Sequence, residues 1–253
     1  PWDGPVSWRK PTTFGLSFGL TVLSVTWVAS FLRIGERRRA ALLGGLLLAS
    51  VAEVALIDLQ AWRRVPSHFN FETPFDTRVT MVLAAGGGVL FVVLGALFVQ
   101  SLRPQPGLDP ELRLAVRLGF GALLAGLAVG GVMIGIGTAL VRAGDPQAAY
   151  HDAGVFKLAH AVGLHGIAVL PGLAWLTGRV DWPAGARRSV LHTGTAGYLG
   201  VLACALWVGA KGGLSSITVF GIALAGSLLV SAAFRVIVAT HTGKRVVSES
   251  VVR

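Results

Sequence analysis

Seven long apolar runs, separated by short polar connectors, take up most of this 253-residue chain. They cover Thr12–Leu32, Ala40–Trp62, Asp76–Leu102, Leu114–Val141, Val155–Thr177, Ser189–Ala210 and Ile217–Ala239. A bilayer core of about 30 Å takes roughly 20 apolar residues of helix, and each run meets that length. Strands of a membrane barrel alternate polarity over about 10 residues, whereas these runs are unbroken and rich in Leu, Ala, Val and Gly. The expectation is an all-α fold: a polytopic membrane bundle of seven transmembrane helices, one domain over residues 1–253. The first run follows the segment Trp2–Lys10 and lacks a small-residue cleavage pattern, so it reads as a retained helix rather than a signal peptide.

Composition removes the other classes. Hydrophobic residues make up 53% and charged residues 13%, where a soluble domain carries about 25% charge. Mean hydropathy is +0.69. The apolar fraction excludes a disordered chain, and the single Cys204 excludes a disulfide framework.

The net charge of +10 invites a nucleic-acid reading, but the distribution of charge points to topology instead. The face that holds the N-terminus carries 8 Lys and Arg (Arg9, Lys10, Arg63, Arg64, Arg78, Arg142, Lys157, Lys211) and 7 acids, net +1. The opposite face carries 14 Lys and Arg, the Arg37-Arg38-Arg39 run among them, and 5 acids, net +9. The positive-inside rule then places the N-terminus outside and the C-terminus in the cytoplasm of a multi-pass cell-membrane protein. The Glu36–Arg39 run reads as an anchor near anionic headgroups. The expected partners are the lipid bilayer, a lipophilic small molecule and other membrane proteins, with no nucleic acid.

Glycine is abundant in the fourth run, where Gly126/Gly130 and Gly131/Gly135 are small-xxx-small steps, and in the third at Gly86–Gly88. Small residues let membrane helices approach closely, so tight packing is the first reading. A surface flattened for a planar or lipidic ligand is the second. Pro171 removes a backbone hydrogen bond within the fifth run. No internal repeat stands out.

Polar side chains are costly inside the hydrocarbon layer and become functional candidates by default. They gather at one end of the bundle. The second run carries Glu53, Asp58 and Gln60, and the connector after it reads Arg63-Arg64-Val65-Pro66-Ser67-His68-Phe69-Asn70. The fifth run begins near His151-Asp152 and continues through Lys157, His160 and His165. Glu53 lies about 15 Å of helical rise below Arg63, deeper than Asp58. It reads either as part of a hydrogen-bond ladder or as a proton-handling carboxyl. Thr73-Pro74-Phe75-Asp76 has the form of a helix start, with Thr at the N-cap, Pro at N1 and an acid at N3. Ser67–Asn70 is expected to fold inward as a lid, with His68 or Asn70 against the second or fifth span. The catalytic candidates are Glu53, His68 and Asp76, and Gln60, Asn70 and Arg78 are the substrate-binding candidates. One cavity lined by Glu53, Gln60, His68, Asp76, His160 and His165 is the resulting expectation.

His160 and His165 are five residues apart, about 140° around a helix, and cannot chelate one metal as an i,i+4 pair does. Either could pair with His68 to hold a haem iron, copper or zinc, which makes them the metal-ligand candidates. His192 and His241 lie near the cytoplasmic ends of their runs. The chain has no C-x-x-C-H or H-E-x-x-H pattern.

Length, span count and the acid in Ala52-Glu53-Val54 resemble the small seven-helix transmembrane terpene cyclases. That resemblance implies an acid–base enzyme for a lipid or isoprenoid substrate. The family pairs this acid with an Asp in the last span, and Ile217–Ala239 contains no acid. The Gln60 to Asn70 segment, with its Gln, Arg and Ser-His-Phe-Asn, also resembles uncharacterised bacterial integral membrane proteins and implies no activity. The leading functional reading is a polar site near the outer face, an enzyme or a redox or metal protein acting on a lipophilic substrate. An accessory membrane subunit comes next and a small transporter last.

Overall fold

The computed structural model of the chain describes all residues except Pro1, residues 3–5, Ala153, Gly212, Leu214 and residues 251–253. At Tyr150, His151 and residues 241–250 it describes the backbone only. The side chains of His151, His241, Lys244, Arg245 and Glu249, and the whole of Asp3 and Arg253, therefore lie outside the described residues.

Among the described residues eight helices follow one another: α1 Arg9–Ser30, α2 Glu36–Trp62, α3 Pro74–Leu102, α4 Pro110–Arg142, α5 Pro146–Asp152, α6 Lys157–Thr177, α7 Ala184–Lys211 and α8 Ser216–Ser250. Among the described residues there is no strand. All but the seven-residue α5 contain stretches long and apolar enough to cross a membrane. Five of the seven expected runs lie wholly within one of these helices; Thr12–Leu32 runs two residues past the end of α1, and Val155–Thr177 begins two residues before α6. Apart from α6, the long helices start earlier than the apolar runs because their first turns, such as Glu36–Arg39 of α2, keep the backbone hydrogen-bond pattern. Helix α5 was not expected; it is too short and too polar to register as an apolar run.

Local chemistry sets the helix ends. Thr73 is the N-cap of α3, with Pro74 following and Asp76 N donating to Thr73 Oγ1 at 3.1 Å. Asp109 Oδ1 accepts from Glu111 N at 2.9 Å and Leu112 N at 3.2 Å at the start of α4. Gly144 closes α4 with φ of 85°, a left-handed conformation that glycine adopts without strain.

The residues divide into two compact units, with the boundary inside α4 after Gly126. The first unit holds residues 1–105 and 127–155, that is α1, α2, α3, the second part of α4, and α5. Its far end is tied by a polar knot absent from the sequence reading. Gln100 Nε2 donates to Arg33 O (2.6 Å), Arg33 N to Gln105 Oε1 (2.8 Å) and Gln105 Nε2 to Gln100 O (2.9 Å).

The second unit holds residues 106–126 and 156–253, built on the first part of α4 and on α6, α7 and α8. Its core includes Leu170, Leu173, Val190, Leu191 and Val236. Gly126 and Gly163 face each other so closely that a Cβ on Gly163 would lie 2.6 Å from the Gly126 Cα. The packing reading of the glycines holds here. It does not extend to Gly131 and Gly135, where an added Cβ would meet nothing within 4 Å among the described residues.

Candidate functional site

Helices α2 and α3 run side by side and leave a cleft of about 410 Å³ between them. Gly45, Leu48, Ala49, Ala52, Glu53 and Leu56 line it from α2, and Val82, Leu83, Ala85, Gly86 and Val89 from α3. The lining is aliphatic apart from Glu53. That side chain is buried, with the residue 5% exposed. Its carboxyl rests on the bare backbone of Gly86, whose glycine leaves room that a side chain would take. Among the described residues Glu53 makes no hydrogen bond and no ion pair; only the Lys10 ammonium acts on it electrostatically. Leu48, Val82 and Val89 are exposed, so the cleft opens sideways from the helix pair. Its volume falls within the roughly 300–1,000 Å³ of small-molecule pockets.

Two other expected site residues of this unit, Gln60 and Asp76, meet elsewhere, at the junction of α2 and α3. Gln60 is fully buried and donates from Nε2 to Asp76 Oδ1 at 2.9 Å. Arg63 Nη1 pairs with the same oxygen at 2.5 Å and donates to Gln60 Oε1. Thr73 Oγ1 donates to Asp76 Oδ2 at 2.6 Å. Both carboxylate oxygens of Asp76 are therefore engaged in a clasp that fastens the end of α2 to the start of α3. Asp76 precedes Gly86 by ten residues, about 15 Å of rise, and Gln60 is about 10 Å of rise from Glu53. Glu53 thus lines the cleft without Gln60, His68 or Asp76, and the single expected cavity resolves into a cleft and a clasp. Arg78 is exposed.

The loop after α2 folds inward, as its sequence suggested, but onto other partners. Ser67 and Asn70 are buried. Asn70 Nδ2 donates to Pro66 O (3.2 Å), its Oδ1 accepts from Glu72 N (3.1 Å), and its carbonyl accepts from Thr80 Oγ1 of α3 (3.0 Å). The half-buried His68 sits against α1. Lys10 Nζ donates to its Nδ1 at 3.2 Å, and the Phe14 ring lies 5.9 Å away. Because an ammonium only donates, Nδ1 is the acceptor nitrogen and the imidazole is neutral with its proton on Nε2. Burial, with the Lys10 charge added, holds the His68 pKa well below its usual range. The Phe69 ring packs on Gly137 of α4. Arg64 and Phe69 both have left-handed backbones, φ 56° and 60°, and non-glycine residues pay for that conformation. The polar character of the loop was legible. The partnership with α1 was not, since Lys10 and Phe14 carry no local signal pointing to residues 67–70.

The two metal-ligand candidates belong to the second unit, and each Nδ1 is engaged by backbone. His160 Nδ1 bonds Gly126 O across to α4 at 2.7 Å, and His165 Nδ1 bonds Ala161 O on its own helix at 2.7 Å. Among the described residues no group of three or more His, Cys, Asp and Glu is arranged to hold a metal ion. Comparison with protein-family models, with curated proteins and with solved structures finds no match to this chain.

Proposed function

We propose that this chain is a multi-pass cell-membrane protein, N-terminus outside, that takes a lipophilic small molecule into the α2–α3 cleft and acts on it through the Glu53 carboxyl. One observation carries the reading: the carboxyl of the largely buried Glu53, without a hydrogen-bond partner among the described residues, faces an otherwise aliphatic cleft. Burying a polar group without a partner costs on the order of 2–7 kcal/mol. A ligand oxygen or nitrogen that completes the hydrogen bonding removes that cost, so the site is poised for a molecule with an apolar body and one polar or basic atom. Glu53 then serves as general acid toward that atom. Acid chemistry at this position is also what the resemblance to transmembrane terpene cyclases implies.

Membrane residence is supported by the seven spans and by the apolar side chains they leave exposed, such as Leu16 (72%), Leu48 (72%) and Ile217 (83%). Aromatic residues mark helix ends, as in membrane-interface belts. Trp8 packs on Trp62 at 5.0 Å, Arg179 lies 3.6 Å over Trp175, and Lys211 lies 5.1 Å over Trp207. The charge division of +9 against +1 supports the orientation. The exposed Leu48, Val82 and Val89 give the ligand access from the lipid side.

The test is retention of a ligand. Protein purified in lipid nanodiscs is extracted and the extract analysed by mass spectrometry, for the wild type, Glu53→Gln and the cleft-filling Ala52→Phe. A lipophilic compound retained by the wild type and lost from both variants is expected. Three indistinguishable extracts would overturn the reading.

A further inference from the structure

A second, much smaller cavity of about 10 Å³ lies between the start of α1, the end of α2 and the loop that follows. That is the space of about one water molecule. Ser7, Lys10, Ile57, Ala61 and Ser67 are among its walls. Lys10 and Ser67 also contact His68 Nδ1, at 3.2 and 3.1 Å, so these two polar walls border the inward-folded loop, while Val6, Pro11, Ile57, Ala61 and Val65 make the rest of the lining, Ser7 apart, apolar. Ile57 is one helical turn from Glu53 on the same face of α2. Between chamber and cleft stands one small apolar cluster: Ile57, Val79 and Leu83, with Phe14 and Leu56 packed against them. Leu56 and Leu83 line the Glu53 cleft, whereas Ile57 lines the chamber. Phe14 is the member that also reaches the polar side, 5.9 Å from the His68 ring and 5.8 Å from Lys10 Nζ.

We infer that this chamber is the aqueous entrance of a proton route to Glu53, and that the Phe14 ring is the barrier across it. The inference rests on the acid role proposed for Glu53. An acid that gives its proton to a ligand becomes a carboxylate and must regain a proton before it acts again. The aliphatic cleft offers none. Water admitted to the chamber carries the proton from the bulk, and no other reactant is needed. Lys10 is the charged group of α1 that acts on both Glu53 and His68. No charged residue of α3 lines the cleft, and the next acid of α2 is Asp58, five residues on. A swing of the Phe14 ring connects the two spaces, and its return closes them.

The experiment uses Ag⁺, a water-sized thiol reagent, on single-cysteine proteins in nanodiscs with Cys204→Ala as background. Silver-protected thiols are counted by alkylation after denaturation. Ile57→Cys is expected to react readily, and Glu53→Cys to react at least about tenfold more slowly. Adding Phe14→Ala raises the Glu53→Cys rate by about tenfold or more, while Phe14→Leu, which keeps an apolar plug, leaves it near its starting value. Leu48→Cys, on the lipid side of the cleft, is unchanged by either. An unreactive Ile57→Cys in folded protein overturns the inference, as does a Glu53→Cys rate indifferent to Phe14→Ala. Phe14 does not line the cleft, so ligand retention is scored separately in the Phe14 variants. Failure of the silver test with the compound still bound removes the proton route and leaves the proposed function standing.

Discussion

Gly86 presents its backbone to the Glu53 carboxyl so closely that a Cβ there would stand 2.7 Å from Oε1. The carboxyl is the free end of a flexible side chain and can move aside, so an added methyl group redirects the acid rather than breaking the helix pair. Gly86→Ala is expected to keep the thermal midpoint within a few degrees of wild type and to reduce retention of the cleft ligand severalfold. Equal retention would show that the position of the carboxyl is immaterial.

The clasp predicts the opposite pattern. Asp76→Ala removes the acceptor shared by Gln60 and Arg63 and the partner of Thr73 Oγ1. The thermal midpoint is expected to fall by several degrees while the compound bound per folded molecule stays at the wild-type level. A stable Asp76→Ala protein that has lost the compound would move Asp76 from the clasp into the site.

His68 predicts a pH dependence with a definite sign. Its folded-state pKa is depressed below the ordinary 6.5 by burial and by Lys10. Above pH 6.5 the imidazole is neutral in folded and unfolded chains alike and has no effect on the balance. Below it the unfolded chain takes up the proton first, so stability falls as the pH drops from 6.5 toward the depressed value. Thermal unfolding of nanodisc samples between pH 7.5 and about 5 should show this decline, and His68→Gln should flatten it. A wild-type midpoint that rises on acidification would contradict the neutral, Lys10-bonded imidazole.

In the second unit Gly163→Ala drives a Cβ into the Gly126 backbone, which cannot yield as a side chain can. A loss of about 1–3 kcal/mol is expected, measured by unfolding in mixed detergent micelles. Gly131→Ala and Gly135→Ala meet open space and are expected to be neutral or to stabilise by up to about 1 kcal/mol through helix propensity. Equal effects at all three positions would reject close approach as the reason for Gly126 and Gly163.

These contrasts show which features the sequence disclosed. Unbroken apolar length announced each of the seven long helices, and Thr73-Pro74-Phe75-Asp76 announced the start of α3, because span length and caps are local properties. Glu53 stood out as an acid inside an apolar run, open to a hydrogen-bonding or a proton-handling role. The partners of Gln60, His68 and His160 were not legible. Asp76, Lys10 and Gly126 O are 16, 58 and 34 residues away from them, and nothing in a local pattern joins such positions. The same holds for Gln105, buried in a knot with Arg33 of the α1–α2 connector and Gln100 of α3. Gly86 belonged to a glycine run already noted, but its task of seating a carboxyl appears only once α2 and α3 are side by side.

The central claim is that Glu53 is an acid reachable from lipid, and dicyclohexylcarbodiimide tests it most directly. This apolar reagent reacts with protonated carboxyls that it can approach from the hydrocarbon phase. Ligand-stripped protein in nanodiscs near neutral pH should carry one adduct on the peptide containing Glu53 and none on Glu36 or Glu72, with the adduct absent from Glu53→Gln. A folded protein that yields no adduct at Glu53, or labels equally at Glu36 and Glu72, would contradict the account.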